Sequence, residues 1–183
     1  MLFEKTNLEG VFIIEPNLNS DDRGWFMRTF SKDIFIDNIK DFNSTWVQMN
    51  HSFSKEQYTW RGFHFQNPPF KETKLLRCIS GEIIDYVIDL RLGSKTFLNF
   101  KSIILSETNK KMIYIPKGFA HGFLTLKPNT ELIYLHDEYY NPESEAGIKY
   151  NDPLLNFSLP FKPKIISKRD LSHNLLNNKF KGI

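Results

Sequence analysis

Residues 61–66 read Arg61-Gly-Phe-His-Phe-Gln66, an alternation typical of a β-strand. Successive side chains of a strand point to opposite faces, so the two phenylalanines share one face, and His64 and Gln66 share the other. The phenylalanines predict a buried face, and the imidazole indicates that the opposite face lines a cavity. Gly62 would also permit a β-bulge, which would bring the arginine to the same side as the histidine.

The chain on both sides of this stretch is extended in character and divided by turn signals. Ser80-Gly81 predicts a tight hairpin, and Pro116-Lys117-Gly118 predicts a further turn. Residues 33–42 carry apolar side chains at helical spacing, with Ser31 or Asp33 as the cap. The other predicted strands are 10–15, 25–30, 45–52, 74–79, 82–90, 97–105, 111–115, 122–127 and 131–135.

About ten short strands with a single helix before the C-terminus predict an antiparallel sandwich or barrel. A doubly wound α/β sheet would instead need helices that alternate with strands. The 183 residues contain no internal repeat and no break in composition. We therefore predict one domain over residues 1–183, with a peripheral tail from about residue 171.

Charge and cysteine content exclude several classes of protein. The net charge is +3 with both signs well mixed, so no basic surface predicts nucleic-acid binding. The single cysteine, Cys78, excludes an internal disulfide and a cysteine-based zinc site. No segment resembles a signal peptide, and no apolar run approaches the ~20 residues of a membrane span, which predicts a cytoplasmic protein without membrane contacts.

The histidines are the first candidates for chemistry, because the chain has neither a Gly-x-Ser-x-Gly elbow nor a Gly-rich phosphate loop. A catalytic metal usually needs three converging ligands, and His64 is followed on its face by Gln66 rather than by a second histidine. This favours acid–base work for His64 and His121, and we predict no bound metal. One alternative stays open, a paired-carboxylate site among Glu82, Asp85 and Asp89.

Eight short motifs follow one another along nearly the whole chain, from about residue 10 to residue 170. They are Asp22-Arg23-Gly24, Gln48-x-Asn50, the stretch 61–66, Lys74-Leu-Leu-Arg77-x-x-x-Gly81-Glu82, Asp85-x-x-x-Asp89-x-Arg91, Ile115-Pro-Lys-Gly-Phe-Ala-His121-Gly-Phe123, Tyr134 with Tyr140, and Asn151-Asp152-Pro153. In order and in spacing these motifs resemble the dTDP-4-dehydrorhamnose 3,5-epimerase family.

The resemblance implies an all-β, cupin-type antiparallel jelly roll with a few short helices, which works without a metal or another cofactor. It implies a homodimer in which N-terminal strands pair with the partner. The implied substrate is a nucleotide-diphosphate sugar, dTDP-4-dehydro-6-deoxyglucose, epimerised at C3 and C5. Alternatives on the same scaffold are a C3-only epimerase, a ketoisomerase acting on a related and possibly non-thymidine sugar nucleotide, and a non-catalytic module that binds a sugar nucleotide.

The resemblance also assigns catalytic roles to four residues. His64 would be the base that removes a proton next to the ketone, since imidazole titrates near the working pH. The carboxylate of Asp170, within Ser167-x-x-Asp170, would fix its tautomer. Lys74 would place a cation beside the developing enolate oxygen. Tyr134 would deliver a proton from the opposite face.

Further residues are implied to bind the substrate. Arg23 and Arg61 would hold the diphosphate, because planar bidentate donors suit phosphate oxygens. Tyr140 would stack on the nucleobase. His121, held by Asp85, would position the sugar. The other positions that match ligand contacts are Gln48, Asn50, Glu145 and Arg169.

Arg28 departs from the family pattern. It stands at a nucleotide-contacting position where the family usually has a glutamate. An arginine cannot accept a hydrogen bond, so recognition of thymine is the least certain part of the implied site. A different nucleobase, an altered sugar or a shifted contact would each account for the change.

Overall fold

The computed structural model describes residues 1–40 and 42–183. Within these residues lie fourteen strands, two α-helices and one 3-10 turn. The first seven strands are β1 (Leu2–Lys5), β2 (Phe12–Glu15), β3 (Leu18–Asp21), β4 (Gly24–Met27), β5 (Gln48–Ser54), β6 (Thr59–Gln66) and β7 (Lys74–Ser80). The others are β8 (Glu82–Asp89), β9 (Phe100–Ser106), β10 (Met112–Ile115), β11 (Phe119–Thr125), β12 (Thr130–His136), β13 (Glu145–Gly147) and β14 (Ile165–Ile166). The helices are α1 (Lys32–Asn38) and α2 (Lys168–Ser172), and the 3-10 turn is Pro153–Leu155.

Two antiparallel sheets pack against each other. The first has the order β1-β2-β10-β7-β12-β5, and the second has the order β13-β6-β11-β8-β9, with β14 added parallel to β6. β3 and β4 form a separate hairpin. The core lies between the sheets, where Leu76 and Leu132 of the first meet Val87 and Phe123 of the second. This arrangement confirms the predicted antiparallel all-β architecture.

The predicted strands are all present, with ends that differ by up to three residues. Four strands were not predicted: β1, β3, β13 and β14. Each is only two to four residues long and pairs with a single neighbour. A strand with no buried face, such as the fully exposed β3, carries no alternation of apolar and polar residues. Such strands therefore leave no periodic signal in the sequence.

Helix α1 is shorter than the predicted 33–42. It begins at Lys32 and ends at Asn38, and Ile39 already has an extended backbone (φ −115°, ψ 111°). Ser31 occupies the N-cap position, but its side chain does not bond to a helix N–H and contacts the Asp33 carboxylate instead. Residue 41 of the predicted helix lies outside the described residues. Phe35 and Ile39 are buried against the outer face of the first sheet.

The C-terminal tail, expected to be peripheral from about residue 171, packs against the second sheet. Leu176, Phe180 and Ile183 cover its hydrophobic cluster. Ile183 donates its N–H to Leu90 O (2.7 Å) and accepts from Leu92 N (3.2 Å), so the chain end is held by backbone hydrogen bonds. Across the described parts of the chain, we find no helix with the length and apolar character needed to cross a membrane.

Candidate active site

A cavity of about 280 Å³ opens between the two sheets. Its walls come from both of them: β5, β7 and β12 on one side, β6, β11 and β13 on the other. Nine of the predicted site residues line it together. The lining residues are Asn50, Arg61, His64, Lys74, His121, Phe123, Tyr134, His136, Tyr140, Glu145 and Arg169.

A bulge in β6 brings Arg61 and His64 to the same cavity. His64 pairs with His121 of β11, but Arg61 pairs with Phe123, so β6 has one more residue between the pairs than β11. The guanidinium of Arg61 is held by Ser54 Oγ (3.1 Å) and Phe53 O (2.9 Å). The predicted bulge is therefore present, and it shifts an odd-numbered side chain to the face of an even-numbered one.

Gly62 makes this bulge possible. Its φ is +132°, and a Cβ there would lie 2.5 Å from Gly122 Cα. We expect Gly62→Ala to lower the free energy of unfolding by about 2–5 kcal/mol, because backbone strain and overpacking add. Gly24→Ala is the matched control, since Gly24 has a similar φ (+126°) but no atom within 4 Å of its Cβ position. Urea denaturation of both variants checks this, and equal losses would contradict the role of the close approach.

His64 and Asp170 form a hydrogen-bonded pair at the edge of the cavity. His64 Nε2 lies 2.8 Å from Asp170 Oδ1, and the other carboxylate oxygen accepts from Gly62 N at 3.2 Å. Ser167 caps helix α2 by accepting from Asp170 N (3.0 Å). Burial opposes ionisation of Asp170, but the bonds from His64, Gly62 and Ser167 outweigh it, so the pKa of this carboxyl lies below its usual value. Since Nε2 is engaged, Nδ1 of His64 is the nitrogen free to accept a proton.

Lys74 is held in the cavity by a residue that the sequence reasoning missed. Glu72 Oε1 lies 3.0 Å from Lys74 Nζ, and Oε2 lies 2.8 Å from His136 Nδ1. His136 Nε2 in turn contacts Asn50 Nδ2 at 3.2 Å. Burial raises the pKa of Glu72, but Lys74 and His136 reverse this and lower it to about 2. The carboxylate therefore stays ionised and fixes two nitrogens of the cavity wall.

A signal for His136 was available, because it shares a strand face with Tyr134, two residues earlier on β12. Glu72 gave none. It lies in the proline-containing loop before β7, where no periodicity indicates the direction of a side chain.

Replacing Glu72 should alter how stability depends on pH. The folded-state pKa is about 2 against 4.5 for the free group, so the stabilisation is complete above about pH 4.5 and is lost as the pH falls towards 2. We expect Glu72→Gln to lower the free energy of unfolding at pH 7 by an amount on the order of 3 kcal/mol. Urea denaturation at pH 7, 4 and 3 should show the variant and the parent converging as the pH falls. The exposed Glu143→Gln is the control, and a pH-independent difference for Glu72→Gln would contradict this account.

His121 is held from behind by Asp85, as predicted. Its Nε2 lies 2.6 Å from Asp85 Oδ2. Asp85 is fully buried; burial raises its pKa, and the neighbouring His121 only partly offsets this. Asp89 is engaged elsewhere, by Arg91 (2.8 Å) and Ser94 (2.6 Å), so it does not pair with Asp85 across a substrate site.

A chain of polar contacts links the more exposed side chains that line the cavity. Tyr140 donates its hydroxyl to Glu145 Oε2 (2.7 Å), and Glu145 is also paired with Arg169. Gln48 accepts from Tyr140 N (3.2 Å) and donates to Asn50 Oδ1 (3.1 Å). Gln48 therefore stands just behind the lining residues rather than among them.

Arg23 and Arg28 lie away from this cavity. Arg23 lies in the turn between β3 and β4, where it pairs with Asp21 at 2.5 Å on the surface, and Arg28 directly follows β4. Trp25 and Phe26 of this hairpin are more than half exposed. Within a single chain the structure therefore does not bring these two arginines to the other site residues, and their substrate-binding role stays a prediction.

A family model described as dTDP-4-dehydrorhamnose 3,5-epimerase matches residues 5–178. The chain belongs to this family. Its relative in Escherichia coli strain K12, a dTDP-4-dehydrorhamnose 3,5-epimerase, is 40% identical over 156 residues, which is 85% of this chain and 83% of the relative.

Two solved structures of the epimerase family match the fold. The enzyme from Bacillus anthracis with TDP and PPi bound gives a TM-score of 0.91 at 38% identity, covering 96% of this chain and 99% of the other. The 3,5-epimerase from Legionella pneumophila in complex with dTDP-4-keto-L-rhamnose gives a TM-score of 0.89 at 35% identity, covering 95% of this chain and 92% of the other. These matches confirm the predicted family and the cupin-type jelly roll.

Proposed function

We propose that this protein epimerises a dTDP-linked 4-keto-6-deoxyhexose at C3 and C5, converting dTDP-4-dehydro-6-deoxyglucose into dTDP-4-dehydrorhamnose. The observation that carries the proposal is the placement of His64 on one sheet and of Lys74 and Tyr134 on the facing sheet of one cavity. Relatives named for this reaction, one of them solved with dTDP-4-keto-L-rhamnose, support the substrate class.

In the first proposed step, His64 Nδ1 removes the proton from the carbon next to the ketone. The electron pair of the broken C–H bond moves to the carbonyl oxygen and gives an enolate. Asp170 stabilises the imidazolium that forms, since its carboxylate already bonds the far nitrogen at 2.8 Å. Lys74, fixed by Glu72, places its positive charge beside the enolate oxygen, where charge develops.

In the second step, Tyr134 returns a proton to the opposite face of the same carbon. Because the phenol projects from the first sheet and the imidazole from the second, the two groups can address opposite faces of a sugar that lies between them. Once the imidazolium has released its proton to water and the phenolate has regained one from water, repeating both steps at the other carbon next to the ketone completes the reaction. The side chains alone carry these steps, and neither step requires a metal or another cofactor.

Deuterium wash-in tests the proposal. The purified protein is incubated with the 4-keto substrate in heavy water, and we expect deuterium at C3 and C5 of the product. Deuterium at C3 alone would identify a C3-only epimerase. Binding of dTDP without any incorporation would contradict catalysis and favour a non-catalytic sugar-nucleotide module.

A nucleotide panel tests the base preference that Arg28 puts in question. We expect dTDP to raise the melting temperature more than UDP, GDP or CDP do, because the relatives act on dTDP-sugars. Arg28→Glu restores the usual family residue and shows whether the arginine weakens binding of dTDP. A larger shift with another diphosphate would contradict the thymidine assignment.

The assembly is proposed to be a homodimer. Exposed apolar side chains of the first sheet and the β3–β4 hairpin would be covered by a second copy, among them Met49 (66% exposed), Phe53 and Trp25. A dimer would also give Arg23 and Arg28 a route to the partner's cavity. Light scattering should then give twice the 21.6 kDa of one chain.

We also propose that the protein works in the cytoplasm. Its single cysteine, Cys78, is buried, and burial raises the pKa of the thiol to about 12, so the chain neither forms an internal disulfide nor needs an oxidising compartment. Cell fractionation would check this.

A further inference from the structure

A second histidine lies behind the His64–Asp170 pair. His173 follows helix α2, and its Nε2 is 3.8 Å from Asp170 Oδ1, the same oxygen that bonds His64. This Nε2 is buried and has no hydrogen-bond partner among residues 1–40 and 42–183. One ligating atom from each of the three side chains lies within 4.8 Å of the other two.

The imidazole of His173 is held in place by its packing. Gly147 of β13 pairs with His64 in the sheet register, and a Cβ at Gly147 would overlap the His173 ring. The ring therefore fills the space that the glycine leaves, directly beside the strand that carries His64. Asp170 is fixed from the other side by the Ser167 cap of its short helix. All three side chains thus stand on regular elements or at their ends.

We propose that His64, Asp170 and His173 bind a divalent transition-metal ion, with Zn²⁺ as the best fit. Two imidazole nitrogens and one carboxylate oxygen are a ligand set that Zn²⁺ favours, and a fourth position stays open to water. Tetrahedral Zn²⁺ with bonds of about 2.1 Å separates its ligands by about 3.4 Å. The separations from Asp170 Oδ1, 2.8 Å to His64 and 3.8 Å to His173, lie on either side of this value, and all three ligand atoms are within 4.8 Å of one another, so the side chains would close around a bound ion.

An ion can reach His64 and Asp170, two of the three ligands, without crossing the substrate cavity. A second cavity, of about 430 Å³, opens onto His64 and Asp170 from the side of β14. Arg169 also lines this cavity, but its positive charge is compensated by Glu145, with which it is paired. Arg61 lines this cavity as well, with its guanidinium bonded to Ser54 Oγ and Phe53 O. The attraction for a cation therefore comes from direct contact with the Asp170 carboxylate and not from a net negative charge of the cavity.

Bound metal would switch the reaction off, a consequence that rests on the proposed function. In the metal-free pair, His64 Nε2 donates its proton to Asp170, and the lone pair of Nδ1 is the base. Metal takes the lone pair of Nε2, so the proton of the neutral ring moves to Nδ1. His64 then has no lone pair directed at the sugar. Asp170, now bound to the metal, also no longer accepts a hydrogen bond from His64. Zn²⁺ would therefore inhibit rather than assist the epimerisation.

Co²⁺ absorption tests the binding without reference to activity. Titrating Co²⁺ into the chelator-treated full chain should give visible d–d bands of a low-coordinate nitrogen and oxygen site, and Zn²⁺ should remove them. We expect His173→Phe, which keeps a ring beside Gly147, to weaken Co²⁺ binding at least about 10–100-fold. His173→Asn is the second variant should the phenylalanine disturb folding, and His51→Phe, at an exposed histidine, is the matched control.

Zn²⁺ inhibition of deuterium wash-in is the second measurement. The wash-in rate of each protein with Zn²⁺ is divided by the rate of the same protein without metal. EDTA should restore the parent, and the half-inhibiting Zn²⁺ concentration should rise in His173→Phe by the same factor as for Co²⁺ binding. Absence of Co²⁺ bands in the parent, or bands and inhibition unchanged in both His173 variants, would overturn the proposal. His173-dependent Co²⁺ binding in a chain that shows no metal-free exchange would uphold the metal site and refute the proposed epimerase function instead.

Discussion

His64→Asn is expected to reduce deuterium wash-in at C3 and C5 by about 10²–10⁴-fold, the range that a positioned base contributes. Asparagine has no group that can take a proton from carbon, so enolate formation loses its acceptor. Asparagine is too short to replace Nε2, but Asp170, which is 4% exposed, keeps its hydrogen bond from Gly62 N (3.2 Å). The variant therefore does not leave a buried carboxylate without a partner, and it should fold with little loss of stability.

The control for this variant is His51→Asn. His51 is an exposed histidine that pairs with Glu131 at 2.7 Å on the outer side of β5 and β12. Its replacement should leave wash-in within about twofold, in keeping with the small effect of surface substitutions. Thermal shift with dTDP should show that His64→Asn still binds nucleotide. Wash-in retained above a tenth of the parent rate would remove His64 from the role of base.

The direction of the His64 side chain was predictable from sequence, because the alternation of apolar and polar residues in 61–66 shows which side chains lie on the same face of the strand. Gly62 further indicated the bulge that adds Arg61 to that face. The local pattern could not predict the contact between Asp170 and His64, because the two residues are more than a hundred positions apart in the sequence. The family resemblance supplied that pairing.

The contacts that were not predicted involve loops, a short strand and an exposed hairpin. Glu72 contacts both Lys74 and His136 from the loop before β7, where no periodicity reports the direction of a side chain. His173 comes to lie beside Asp170 because a glycine on a short, unpredicted strand leaves room for its ring. Arg28 follows an exposed hairpin that lies away from the cavity within one chain, so its role stays a prediction.

Tyr134→Phe is expected to separate proton removal from inversion. The ring and its contact with His136, at 5.7 Å between centroids, are kept, while the hydroxyl that would protonate the enolate is lost. His64 still forms the enolate and returns a proton to the face from which it came. We therefore expect product formation to fall by about 10²–10⁴-fold. Wash-in of deuterium into recovered substrate should fall far less.

Tyr139→Phe is the matched control, because Tyr139 is 64% exposed and does not line the cavity. NMR of the recovered sugar distinguishes deuterated substrate from epimerised product in one sample. Equal losses of wash-in and product in Tyr134→Phe would mean that the phenol acts in forming the enolate, for instance as a donor to its oxygen beside Lys74. Unchanged product formation would mean that another acid serves the face opposite His64. Only the unequal loss fits a base and an acid that face each other from the two sheets of the barrel.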